Sequence, residues 1–104
     1  MVPFYKYRFD SKLPVKNVEE SLLLAVLAVE CLHGRAKVRL DASFSLDAKK
    51  LTCVVDAATE VGCAIARIFT GFLNHEFGES AFKVERVGEV PHLNAETKPA
   101  GVEG

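Results

Sequence analysis

A chain of 104 residues is a single domain of ordinary size, long enough to bury a core of its own. Charged residues make up 26% and apolar ones 49%, with a formal net charge of -1, which excludes a disordered chain and gives no general attraction to nucleic acid or to an anionic membrane. The apolar run Leu22 to Val29 falls far short of the about 20 residues that cross a bilayer and follows Glu19 and Glu20 rather than basic residues, so neither membrane span nor signal segment is expected.

In chain order, Phe4 to Asp10 sets Tyr5, Tyr7 and Phe9 against Lys6, Arg8 and Asp10, the period of a strand with one wet face. A helix follows. Asn17 is placed to cap it, Glu20 stands three residues on to reach back to the cap, Pro14 bars an earlier start, and Gly34 ends it. Val18, Leu22, Ala25, Val29 and Leu32 make the face that reaches the sheet. Leu23 and Leu27 lie outside, flanked by Leu24 and Val26.

From Lys37 to Asp47, the apolar Val38, Leu40, Ala42, Phe44 and Leu46 alternate with Lys37, Arg39, Asp41, Ser43, Ser45 and Asp47, which predicts a second strand. An aspartate-led turn at 47–50 joins it to a third, with Leu51, Cys53, Val55 and Ala57 turned inward. Thr59 then caps a second helix that runs to Phe77 and stops at Gly78. Its apolar stripe is Val61, Ile65, Ile68, Phe69 and Phe72, with Cys63, Arg67, Thr70 and Asn74 opposite; Gly62 and Gly71 mark turns where close packing is expected. Phe82 to Val87 gives a fourth strand. Beyond it the residues lose all periodicity, so the chain divides into a domain over 1–88 and a flexible tail over 89–104.

The order β-α-β-β-α-β puts the chain in the α+β class, and over residues 3 to 88 it resembles the ferredoxin-like fold. That resemblance implies a four-stranded antiparallel sheet in the order 4-1-3-2 with two helices on one face. It implies no activity, because the fold carries many.

Several chemistries of such folds lack their residues here. The open sheet face offers Lys6, Arg8, Thr52, Val54 and Asp56 instead of paired aromatic rings on which bases could stack, so no nucleic acid is expected. The segment after the first strand, "DSKLPVKN", has neither the paired cysteines of a metal chaperone nor the glycine-rich loop of a phosphate hydrolase. His33, His75 and His92 have no ligand spacing, and no metal or cofactor is expected. The turn "ATEVGC" is more suggestive. Free N–H groups at a helix start favour an anion, which makes Thr59, Gly62 and Cys63 candidate ligand residues and Cys63 a candidate reactive thiol, with Lys6 and Arg8 as possible charged helpers. No histidine is close in sequence to act as its base, so no catalytic residue is assigned. Cys31 and Cys53 read as small hydrophobes, and an odd cysteine count points to a reducing cytoplasm.

The outer leucines need a cover. Leu23, Leu24 and Leu27, framed by Glu19, Glu20 and Glu30, have the apolar centre and charged rim of an association surface, whereas the charged open sheet face, which also takes in Asp41, Arg39, Lys83 and Glu85, does not suit sheet-to-sheet closure. The expectation is a non-enzymatic, self-associating cytoplasmic module, a helix-mediated homodimer that binds a protein partner or a small anionic ligand. The alternative is a small enzyme or sensor using the "ATEVGC" turn and Cys63.

Overall fold

Alternation in the first strand sets the layers. In the computed structural model, which describes residues 4–88, β1 spans Phe4–Phe9 and buries Tyr7 and Phe9 under the helices, with Tyr5 packed at the margin of the core. β1 lies inside a sheet of four antiparallel strands. It pairs with β3 (Thr52–Asp56), Tyr7 opposite Cys53, and on its other side with β4 (Phe82–Val87), Phe9 opposite Phe82. β2 (Phe44–Asp47) borders β3, Leu46 opposite Cys53. The order is thus β2-β3-β1-β4, which counted from the β4 edge is 4-1-3-2.

Three helices accompany the sheet, where two were expected. α1 (Val15–His33) starts two residues ahead of the anticipated Asn17 cap, because Pro14 itself takes the cap position, with φ -73 and ψ 114, and its carbonyl accepts from both Asn17 and Val18 N–H. A proline there is pre-set for entry into the first turn and gives up no helical N–H. Val18, Leu22, Ala25 and Val29 are buried as the pattern requires, but Leu32 is exposed because the helix is about to turn away.

The larger correction falls on 37–47. Its first half is a second helix, α2 (Arg35–Asp41), and only its end is strand, as β2. Gly34, at φ 91, takes a conformation open to glycine, breaks α1 and lets a new helix start at once. The residues then count in fours: Val38 is buried and Ala42 packs against the core, while Leu40, two residues from either, is 84% exposed. Arg39 and Asp41 accordingly belong to α2 and leave the open sheet face. Leu51 and Ala57 also fall outside β3; Leu51 occupies the turn with φ 55, its carbonyl accepting the Phe9 N–H at 2.9 Å.

α3 (Glu60–Phe77) follows its expected limits, with Thr59 as cap and Gly78 (φ 87) beyond its end. Val61, Ile65 and Phe69 are buried together with Ala66 and Leu73, and Ile68 and Phe72 pack at the edge of the core. Phe69 meets Tyr7 edge-on, centroids 4.9 Å apart, and approaches Phe9 at 6.5 Å, so three rings from α3 and β1 fasten the layers. Of the two glycines expected at close contacts, only Gly62 is at one; a methyl at Gly71 would meet open space.

The open sheet face is less uniformly charged than expected. Val54 is buried between Phe4 and Val87, a small apolar cluster on the side away from the helices. Phe4 is also directly paired with Val87, so the two ends of the described chain lie side by side. The anticipated tail at 89–104 lies outside the described residues.

Candidate functional site

Four places bear on function, and the residues singled out from sequence are divided among them. Thr59, Gly62 and Cys63 come together at the start of α3. Thr59 Oγ1 accepts the Gly62 N–H at 3.0 Å and donates to the Asp41 carbonyl at 3.1 Å, so one hydroxyl both caps α3 and ties it to the end of α2. Cys63 N–H donates to the Thr59 carbonyl, and Asp56 turns its carboxylate onto the Ala58 N–H at 2.8 Å. Gly62 lies against the carbonyl of Asp56, where any Cβ would collide. Three backbone donors of this turn, at Ala58, Gly62 and Cys63, therefore have partners within the chain, and Asp56 and Glu60 place acidic residues beside it.

Lys6 and Arg8 are on the other side of the sheet. They alternate with Tyr5, Tyr7 and Phe9, which face the helices, so the sheet stands between them and Cys63. Arg8 approaches Glu85 at 3.7 Å, both side chains more than half exposed, an ion pair of little energetic weight.

Leu23, Leu24 and Leu27 are all more than half exposed on the outer face of α1. Cys31, exposed as a free thiol, continues the same stripe one turn beyond Leu27, whereas Val26, expected to flank the leucines, packs against the core. On the side of α1 toward α3, Leu24 also borders a crevice of about 160 Å³ shared with Asn17, Glu20, Ser21, Phe72, His75 and Glu76.

The fourth place was not singled out from sequence. A cleft of about 340 Å³ is lined by Tyr5 and Tyr7 of β1, Val84 of β4, and Ala66, Arg67 and Thr70 of α3. It exists because the helical layer stops short of the sheet edge: β4 turns Phe82, Val84 and Arg86 to the helix side, and only Phe82 is buried. Tyr7 and Thr70 hydroxyls are 2.8 Å apart, and Thr70 lies 2.7 Å from the Ala66 carbonyl. The Tyr7 hydroxyl also lies 3.1 Å from the Ala66 carbonyl, so both hydroxyls can donate to that oxygen and either can be the donor between them. Thr70, expected on a wet face, is thus drawn into the sheet-facing network. Burial pushes the Tyr7 phenol up to about 12, the Thr70 bond opposing, so the ring stays neutral at physiological pH. Arg86 stacks over the Tyr5 ring at 5.3 Å and donates to its hydroxyl at 3.0 Å. One sign in the sequence marks this place: Arg86 occupies an inward register position of its strand, where a charge is compatible only with a sheet face left uncovered.

Among the described residues no group of three or more His, Cys, Asp or Glu side chains converges as a metal site, and no helix is long and apolar enough to cross a membrane. No family model, curated protein or solved structure matches the chain.

Proposed function

We propose that this chain is a self-associating binding module, built on a ferredoxin-like βαββαβ plan with α2 inserted, that pairs through the outer face of α1 and acts by binding rather than by catalysis. The observation that carries the reading is the leucine surface: three large apolar side chains within two turns of one helix, each 54–55% exposed, bordered by Glu19, Glu20 and Glu30. Half-exposed leucines each leave roughly 1 kcal/mol of burial unrealised, and a symmetric pairing recovers that from both copies. Free thiols at Cys31, Cys53 and Cys63 support a reducing, cytoplasmic setting.

Sedimentation of the full chain across a concentration series tests the reading. A monomer–dimer equilibrium is expected, and Leu23→Glu with Leu27→Glu should abolish it while leaving the circular dichroism spectrum unchanged. A monomer at every concentration, or association indifferent to the two substitutions, overturns it.

A further inference from the structure

The cleft between α3 and the β1–β4 side of the sheet combines features that the leucine surface does not need. Its wall is apolar and aromatic where Tyr5, Tyr7, Ala66 and Val84 contribute, and polar where Arg67 and Thr70 contribute. None of the six lining residues is acidic. Among the described residues neither Arg67 nor Arg86 has a carboxylate partner, since the one ion pair is Arg8 with Glu85 on the opposite face. Arg67 lines the cleft from α3, and Arg86, beyond the lining residues, lies against Tyr5 of the cleft wall through that residue's ring and hydroxyl. Among the described residues, one guanidinium thus lines the cleft and a second lies against its Tyr5 wall, neither paired with a carboxylate, and the neutral Tyr7 phenol adds no charge.

We propose that this cleft binds a small planar carboxylate, its ring laid against Tyr5 and Val84 and its carboxylate received by Arg67 and Arg86. The chemistry follows from the lining. A guanidinium offers paired donors that match a carboxylate's two oxygens, and aromatic walls favour a flat apolar body. Size limits the ligand as well: 340 Å³ is at the small end of ligand pockets, room for roughly a dozen non-hydrogen atoms. The proposal is independent of self-association, because the cleft and the outer face of α1 share no residue.

The test is an NMR titration of the full chain with 2-naphthoate, using 2-naphthylmethanol as the uncharged probe of the same shape. Saturable shifts are expected at Tyr5, Ala66, Thr70 and Val84 for the naphthoate, with the alcohol bound about tenfold more weakly or worse. Arg67→Gln and Arg86→Gln should each weaken naphthoate by about tenfold. Val84→Trp, which fills the cleft from an exposed position, should abolish binding, whereas Leu23→Glu with Leu27→Glu should leave it unaltered. Absence of saturation, equal binding of acid and alcohol, or affinity insensitive to both arginine substitutions would each overturn the assignment.

Discussion

Gly62 shows how one missing methyl positions an element. Its Cα faces the carbonyl of Asp56 at the end of β3, so α3 can begin only as close to the sheet as a bare backbone allows. An alanine gains up to about 1 kcal/mol of helix propensity at either glycine of α3, but at 62 the collision with backbone cannot be relieved by a side-chain rotation. Gly62→Ala should therefore lower stability by roughly 1–3 kcal/mol, while Gly71→Ala, facing open space, should raise it by about 0.5–1 kcal/mol; urea unfolding of the two variants reads both signs. Two buried titratable groups add a dependence on pH. Burial lifts Cys53 from 9.0 to about 12, and lifts Tyr7 from 10.0 to about 12 against the opposing Thr70 bond. In the unfolded chain both lose their protons near the ordinary values, so between about pH 9 and 12 the folded state holds more protons. Stability should fall as pH rises through that window, by up to about 1.4 kcal/mol per unit for each group, and these two groups should leave it flat below. Alkaline unfolding curves of Tyr7→Phe, which removes one of the two, should begin their decline near pH 9 as before and fall with a shallower slope above about pH 10.

At the scale of elements, what the sequence made legible was the burial pattern of β1 and α3 and the place of β4, and what it hid was α2. β1 and α3 each repeat a single period over their whole length, so Tyr7 and Phe9, or Val61, Ile65 and Phe69, are readable without the fold. Over 37–47, apolar residues at every second position satisfy a strand, yet Val38 and Ala42 satisfy a helix equally well. Arg35, Ala36, Lys37 and Leu40 are good helix formers, and contact with α1 and α3 settles the ambiguity in favour of helix. The two readings differ in energy at one pair of residues. In a strand Val38 and Leu40 would be buried together; in α2 only Val38 is. Val38→Ala should cost roughly 1–3 kcal/mol and Leu40→Ala less than about 0.5, a contrast that thermal denaturation of the two variants would expose. The cleft was hidden for a different reason. Its residues come from β1, β4 and α3, and the one sign along the chain is the charge of Arg86 at an inward position of β4; nothing in the spacing shows which part of the sheet α3 leaves uncovered.

For the whole molecule, the balance of association is modest. Six half-exposed leucines in a pair contribute on the order of 6 kcal/mol before costs, against an expected loss of at least about 4 kcal/mol in translational and rotational freedom. A pairing through these leucines alone should accordingly be weak and reversible, with its midpoint at millimolar concentrations or above, and dilution should dissociate it without unfolding either copy. A further consequence comes from the pairing of Phe4 with Val87 beside Val54. The two ends of the described backbone are nearest neighbours across one ladder, so the path of residues 4–88 is almost a closed ring. A bridge of a few glycines between residues 88 and 4, with a new opening among Ala48, Lys49 and Lys50, would rearrange the gene while preserving every strand partnership and the whole interior.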